Sequence, residues 1–167
     1  MSYMTRHPLL RYLLPLSLCL VGAHCGDPVS GTWVNTTAPT ANQYMTYMAT
    51  LTFGDAKSVT VDLMTARGQG ALIYAGCMEA LMGTGTYTET GTTVTSTFES
   101  GNSERTGCVY AADNLPSMPI NTANTDPKSA DAASVATLVS LSSGNFTIAN
   151  NVLSLTQGST TLKYTKQ

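Results

Sequence analysis

Apolar residues alternate with threonine, serine and other polar residues along most of the chain after residue 30. The clearest stretch is 45–53, where Met45, Tyr47, Ala49, Leu51 and Phe53 occupy every second position. A period of two predicts a β-strand that buries one of its faces. The same alternation recurs later in the chain, at Val59, Val61 and Leu63, at Phe146 and Ile148, at Leu153 and Leu155, and at Leu162 and Tyr164.

Turn residues at short intervals predict that successive strands pair as hairpins. Glycine, asparagine and aspartate mark these turns at 54–57, 89–91, 150–151 and 157–158. Gly101-Asn102 predicts one more turn, which would end a strand at Phe98 and begin another over 105–110. Because closing a meander removes exposed edges, we predict an all-β fold: an antiparallel up-and-down barrel of about eight strands. A two-sheet sandwich is the alternative.

Two segments depart from the alternating pattern. Residues 68–78 are interrupted by glycines, and 113–125, with Pro116 and Pro119, predict a long excursion rather than a strand. Asp126-Pro127 then resembles a helix start, with aspartate as the cap and proline in the first turn. The alanine-rich segment 130–139 predicts one short helix before the last strands.

The first residues have the organisation of an export signal. Arg6, His7 and Arg11 precede an apolar run over 13–21, and a short polar exit zone follows it. This is the pattern of a secretory signal. The run is well below the about 20 apolar residues that a membrane-spanning helix needs.

Residues 21–27, Val-Gly-Ala-His-Cys-Gly-Asp, resemble the lipobox of bacterial lipoproteins. The resemblance implies a lipoprotein signal over 1–24, a lipidated Cys25 at the mature N-terminus, a tether over 25–29 and a domain over 30–167. The protein would then be held on the membrane by its lipid, in the cell envelope, with Gly26 favouring the outer membrane. The alternative is an ordinary signal cut after Cys25, which would leave a secreted or periplasmic soluble protein.

Removing the signal changes what chemistry the chain can perform. Both histidines, His7 and His24, lie within 1–24, and six Lys and Arg remain against ten Asp and Glu, a net charge of −4. Without histidine, no Ser/His/Asp or Cys/His catalytic set can be assembled. The acidic balance offers no basic stripe for nucleic acid. We therefore expect a protein that is not an enzyme and that uses no metal and no cofactor.

Cys77 and Cys108 are the two cysteines left after the signal and Cys25. A pair of cysteines in an exported chain predicts a disulfide, which would stabilise the fold by about 3 kcal/mol. Two thiols alone are a poor closed zinc site. A simple hairpin register does not place the two cysteines opposite each other. The bond would then either cross between non-adjacent strands or tie the irregular segment 68–76 to the strand over 105–110, and we favour the second.

Three short motifs resemble bacterial lipocalin-like proteins. They are Gly31-Thr32-Trp33, the hairpin from Gly85-Thr86-Tyr87-Thr88 through Gly91 to Phe98, and the closing hairpin from Asn151 to Lys166. The resemblance implies a lipocalin-like barrel of non-enzymatic type. Typical lipocalins place an arginine from the last strand on this tryptophan, where only Lys163 and Lys166 are available here. Their Thr-Asp-Tyr loop motif is missing.

The inward-facing residues of such a barrel either fill it or surround one small apolar ligand. Both interpretations stay open from the sequence. The candidate ligand-binding residues are Tyr47, Phe53, Leu63, Tyr87, Phe98 and Tyr164. Two functions follow: an envelope barrel that binds a small apolar ligand, or a protein-interaction or protease-inhibitor-like module with 113–125 as a contact loop.

Overall fold

A computed structural model of the chain describes residues 27–37, 46–67, 77–108 and 114–167. The predicted signal and Cys25 lie outside the described residues. A 3₁₀-helix, Asp55–Lys57, joins the second and third strands. The remaining elements, in chain order, are β1 (Gly31–Asn35), β2 (Thr46–Phe53), β3 (Ser58–Arg67), β4 (Cys77–Thr90), β5 (Thr93–Thr106), β6 (Leu115–Pro119), α1 (Ala130–Ser142), β7 (Gly144–Ala149), β8 (Val152–Gln157) and β9 (Thr160–Lys166).

Eight of the strands in the described residues close into a ring. Its order is β1, β2, β3, β4, β5, β7, β8 and β9, and β9 returns to β1. All neighbours are antiparallel, and β6 pairs with β5 outside the ring. The predicted antiparallel up-and-down barrel, with one helix before the last strands, is confirmed.

The alternating pattern supplies the core. On β2, Tyr47, Ala49, Leu51 and Phe53 are all at most 7% exposed, whereas Thr46 and Met48 face solvent. Each large apolar side chain buried in this way stabilises the fold by about 1.5–3 kcal/mol. A single cluster contains these residues together with apolar side chains from every strand of the ring and from α1.

The expected turn at Gly101-Asn102 is wrong, because β5 runs straight through it. Gly101 lies opposite Gly83 of β4, and the ladder continues on both sides to give two strands of 14 residues each. An added Cβ at Gly101 would lie 2.7 Å from the Met82 carbonyl oxygen, so the close approach of the strands requires glycine there. The continuous hydrogen-bond ladder outweighs the local preference for a turn.

The expected excursion over 113–125 contains a strand. Leu115–Pro119 forms β6, which pairs with β5 through Asn102, Ser103 and Arg105. Proline is tolerated in a strand at a sheet edge, because its missing N–H removes no bond from the interior of the sheet. The two prolines therefore mark an edge strand rather than a loop.

The helix begins at Ala130, as the alanine-rich segment predicts, but its cap is not the expected Asp126. Ser129 is its N-cap and accepts a hydrogen bond from the Ala132 N–H at 3.0 Å. Asp126 instead accepts from the Lys128 N–H in a turn that precedes the helix. The predicted helix is confirmed, but Asp126 caps a turn and not the helix. Neither helix in the described part of the chain has the length and apolar character that crossing a bilayer needs.

Candidate functional site

Helix α1 packs into one end of the barrel and positions the candidate site. Leu138 and Leu141 point into the core and are 0% and 4% exposed. The Tyr164 hydroxyl, from β9, donates a hydrogen bond to the Leu141 carbonyl oxygen at 2.8 Å. These contacts fix the C-terminal half of α1, while its N-terminal half continues over the long strands β3, β4 and β5.

The ladder between β5 and β7 in the barrel wall is short. Only Thr93 and Val94 pair with β7 in the described residues. Further along β5, the serines at the end of α1 take the place of β7 as bonding partners. The Ser96 N–H donates to Ser143 Oγ at 2.9 Å, and the Ser96 hydroxyl donates to the Ser142 carbonyl oxygen at 3.1 Å. Beyond Ser96, β5 is therefore no longer paired with β7, and its last residues pair with β6 instead.

This separation opens a cleft between α1 and the inner face of β3, β4 and β5, at the end of the barrel where β3 stops and β4 begins. Its volume is ≈ 470 Å³. The residues that line it come from β3 to β6 and from the outer turns of α1. They are Leu63, Thr65, Glu79, Ala80, Leu81, Ser103, Glu104, Arg105, Leu115, Ala130, Ala133, Ser134 and Thr137.

The register of the strands divides the cleft into an apolar floor and a polar wall. Leu63 pairs with Leu81, next to the barrel core. One step further out, Thr65 pairs with Glu79, which in turn pairs with Arg105. Arg105 Nη2 lies 2.8 Å from Glu79 Oε1, while Arg105 Nε is buried and has no hydrogen-bond partner in the described part of the chain.

Of the predicted ligand-binding residues, only Leu63 lines this cleft. The others lie together in the filled barrel core, each at most 8% exposed; they are Tyr47, Phe53, Tyr87, Phe98 and Tyr164. Sequence reasoning missed Thr65, Glu79 and Leu81. The available signal was the inward alternation of β4, which continues from Tyr87 back to Glu79 once Gly83 and Gly85 are counted as strand residues.

The predicted disulfide is present and joins the two ends of the β4–β5 hairpin. The Cα atoms of Cys77 and Cys108 are 4.1 Å apart. The bridge is thus confirmed, but its expected attachment to the irregular segment is wrong. A one-residue bulge at Thr84 and Gly85 shifts the hairpin register, so that Met78 lies opposite Thr106 and the two cysteines meet just beyond. The bond tethers the strands that carry Glu79 and Arg105.

A second polar cluster lies at the opposite end of the barrel. The Asp27 carboxylate accepts hydrogen bonds from Lys57 and from the Tyr87 hydroxyl, and Lys57 Nζ is 3.8 Å from Glu89 Oε2. The ammonium of Lys57 also lies 4.9 Å from the centre of the Tyr87 ring. The segment just after Cys25 is therefore held against the loop that follows β2 and against the end of β4.

The ionisation of this cluster follows from its contacts. Burial opposes the charge on Asp27, but hydrogen bonds from Lys57 and Tyr87 outweigh it and lower the pKa of Asp27 to about 2. Burial, together with the neighbouring Asp27, raises the pKa of Glu89. Burial and the bond to Asp27 also raise the pKa of Tyr87 well above its ordinary value. At neutral pH Tyr87 is therefore a donor and Asp27 an acceptor.

Trp33 closes the same end of the core. It is 1% exposed, and its indole N–H donates to the Val29 carbonyl oxygen at 2.7 Å. Lys166 Nζ lies 5.1 Å from the centre of the Trp33 ring, within the range of a cation–π contact. A lysine of the last strand thus covers the tryptophan of the first strand.

No family model matches this chain, and no curated protein and no solved structure matches it either. Among the described residues, no three His, Cys, Asp or Glu side chains are grouped so that they could hold a metal ion. The interpretation of the site therefore depends on its geometry alone.

Proposed function

We propose that this protein is an exported, lipid-anchored β-barrel of the bacterial cell envelope that binds a small apolar ligand in the cleft beside α1 and is not an enzyme. The observation that carries the proposal is the cleft itself. Its ≈ 470 Å³ fall within the about 300–1,000 Å³ typical of small-molecule sites.

The lining suits a mainly apolar ligand with one polar group. Leu63, Leu81 and Leu115 provide apolar contact. On the opposite wall, Ala130 and Ala133 of α1 have small side chains that leave room for a ligand. Arg105 presents its buried Nε, which has no hydrogen-bond partner among the described residues, as a donor at one wall. Apolar burial would supply the affinity, and this donor would orient the ligand.

Lipid attachment at Cys25 is compatible with this use of the cleft. Asp27, two residues further on, is held at the barrel end near Lys57 and Glu89. The cleft lies towards the other end, beside the last residues of β3 and the first of β4. A lipid at Cys25 would bind the membrane, preferably the outer membrane, and leave the cleft facing away from it.

The lipocalin-like assignment remains part of the proposal. The closed meander and the contact of Lys166 with Trp33 support it, since the family places a basic residue of the last strand on the same tryptophan. No histidine follows Cys25, which supports a binding role over acid–base catalysis.

The ligand part of the proposal can be tested by filling the cleft. Ala133 lines it from the exposed side of α1, whereas Ala136 lies on the same helix, also exposed, and does not line it. We expect Ala133→Trp to abolish binding of the apolar dye N-phenyl-1-naphthylamine, measured by fluorescence, and Ala136→Trp to leave it unchanged. Equal binding by both variants would refute a ligand site in this cleft.

The anchor is tested separately. Cys25→Ser should move the protein from the membrane to the soluble fraction, or leave it unprocessed, and the intact mass of the native protein should include acyl chains. A mature mass without them would support the secreted or periplasmic alternative.

A protein-interaction or protease-inhibitor-like module is the second candidate function. The observation that favours it is β6, where all five residues are exposed, including Leu115 at 44% and Met118 at 50%. If β6 is a contact element, Met118→Ser should lose a partner that the unaltered protein retains in a pull-down. Ala136→Trp, on a different surface, should retain it.

A further inference from the structure

The outer face of β2, β3 and β4 is divided into two chemically different halves. Towards the end of the barrel near Asp27, the outward positions are hydroxyl residues such as Thr52, Thr60 and Thr84. Towards the other end they are mostly apolar, with Thr46 beside Ala66 as an exception. We call this second half the methionine face, and it consists of Met48, Met64, Ala66, Met78, Ala80 and Met82.

Strand register brings five of these residues into two rows, whereas Met82 lies opposite Asp62. Met48 pairs with Met64, and Met64 pairs with Ala80 across the next strand. Ala66 pairs with Met78 in the adjoining row. Because alternate residues of a strand share a face, all six lie on the side opposite to Leu63 and Leu81, which face the interior.

The methionine face lies outside the core, with three exposed methionines, while Met64, Ala66 and Ala80 are half-buried. Met48, Met78 and Met82 are 36%, 39% and 40% exposed, and none of the six belongs to the buried cluster. Threonine fits an outward strand position well, as the other half of the same face shows. Clustered exposed apolar residues mark interaction surfaces, and methionine adapts its shape to a partner.

Charge identifies the kind of partner. Asp62 lies beside Met82, and Glu104 lies beside Ala80, so the methionine face has an acidic rim. Ala80 and Glu104 also border the cleft beside α1. Neither carboxylate forms an ion pair with another residue in the described ranges. The outward positions of β2, β3 and β4, and those from Asn102 to Thr106 on β5, contain no lysine or arginine. A second copy of this chain would bring acidic rim against acidic rim, whereas a basic partner would be attracted.

Orientation argues against the membrane as the occupant, a step that rests on the proposed anchoring at Cys25. Asp27 is held at the barrel end where β2 stops, and Met48 lies near the start of β2. At about 3.3 Å per residue, β2 separates the two ends by roughly 20 Å. An anchored barrel would thus direct the methionine face away from the bilayer.

We propose that the methionine face is a docking surface for a protein segment with an apolar face flanked by lysines or arginines. The apolar face would cover Met48, Met78 and Met82, and the basic residues would pair with Asp62 and Glu104. An amphipathic helix is one structure with this chemistry.

The test uses the full chain carrying Cys25→Ser and two helical probe peptides, one built from leucine and lysine and one from leucine and glutamate. With methyl-labelled methionine, NMR should show the signals of Met48, Met64, Met78 and Met82 shifting on addition of the leucine–lysine peptide, while Met118 stays in place. The leucine–glutamate peptide should bind at least about tenfold more weakly, and salt should weaken the leucine–lysine complex.

Matched variants complete the test. Met48→Thr with Met82→Thr converts the methionine face to the chemistry of the other half, and should weaken peptide binding by about tenfold or more without changing the thermal midpoint greatly. Thr60→Ser with Thr84→Ser, in the hydroxyl half, should leave binding unchanged. If the double threonine variant unfolds, the methyl shifts of the unaltered protein still decide the outcome.

Three outcomes would overturn the proposal. They are an absence of methionine shifts, binding of phosphatidylcholine vesicles through the methionine face, and a self-association that the double threonine variant removes. None of them depends on acylation, because Cys25→Ser is present throughout. Loss of membrane anchoring in the native protein would instead refute the proposed localisation and leave the docking surface standing.

Discussion

The hydroxyl of Tyr87 donates a hydrogen bond to the carboxylate of Asp27, joining β4 to a segment 60 residues earlier in the chain. The Tyr87 ring also packs edge-on against Phe53, with ring centres 4.9 Å apart. One side chain therefore links the core to the polar cluster that receives the N-terminal segment.

Tyr87→Phe should lower the free energy of unfolding by about 1.5–3 kcal/mol, because it removes a hydrogen bond to a charged group and keeps the ring contact with Phe53. Urea unfolding measures this loss. In the Asp27→Asn background the same substitution should cost less, since the charge that strengthens the bond is gone. Equal costs in the two backgrounds would show that Tyr87 and Asp27 are not coupled.

Stability should fall in acid because of Asp27. The pKa of Asp27 is about 2 in the folded protein, against an ordinary value of 3.8, so its contribution is complete above about pH 4 and is lost as the pH falls towards 2. Asp27→Asn should flatten this acid limb in unfolding measurements at several pH values. An acid limb of unchanged depth in that variant would contradict the assignment.

Glu89 should act in the opposite direction. Burial and the neighbouring Asp27 raise its pKa above the ordinary 4.5, so the fold favours the protonated form and loses stability as the pH rises through the raised pKa. Glu89→Gln should remove this loss and leave the acid limb of Asp27 in place. Thermal midpoints measured from about pH 2 to pH 7, compared with the unaltered protein, distinguish the two groups.

Removing the disulfide should destabilise the barrel without abolishing it. The bond between Cys77 and Cys108 spans 31 positions, and losing a bridge of this size costs about 2–5 kcal/mol. Cys77→Ala with Cys108→Ala should retain the β-sheet circular dichroism spectrum, because the buried core cluster does not include the two cysteines. Complete loss of that spectrum would mean that the hairpin cannot form its ladder without the tether.

The destabilising effects of Gly83→Ala and Leu138→Ala should partly compensate for each other. An added Cβ at Gly83 would lie 2.5 Å from Leu138 Cδ1 and 2.8 Å from Phe98 Cδ1, and Leu138 is fully buried. Gly83→Ala should therefore destabilise the fold by about 1–3 kcal/mol through overpacking. Leu138→Ala alone should cost about 2–5 kcal/mol by leaving a cavity.

The double variant is the informative measurement. Because the new methyl group of Gly83→Ala enters the space that Leu138→Ala vacates, the double variant should be more stable than the sum of the single changes predicts. Gly91 provides the control: an added Cβ there meets nothing within 4 Å, and its φ of +60 alone resists substitution. The cost of Gly91→Ala should add to that of Leu138→Ala.

Local alternation was sufficient to predict the barrel. The face formed by Tyr47, Leu51 and Phe53 is visible in the sequence because residues two apart share one side of any strand. Turn residues such as Asn150 and Asn151, which adopt positive φ, likewise reveal the hairpins that they join. The disulfide between Cys77 and Cys108 was predicted from the count of cysteines in a chain expected to be exported.

Local signals were misleading where distant residues compete with them. Gly101 has the preference of a turn residue, but its pairing with Gly83 extends β5 and carries Arg105 to the wall of the cleft. Pro116 suggests a loop until β5 is seen to offer an edge for β6. A bulge at Gly85 decides which residues face each other beyond it, and so where the disulfide lies.

The alternation of apolar and polar residues was enough to predict the class of fold, most of the strands and the core residues on them. The place where the barrel wall opens followed only from the folded chain, because it depends on Ser96 meeting Ser142 and Ser143 across 46 and 47 positions. The cleft and the methionine face exist through the register of β3, β4 and β5. Register is a relation between strands, set by the packing of all of them together, and no single strand encodes it.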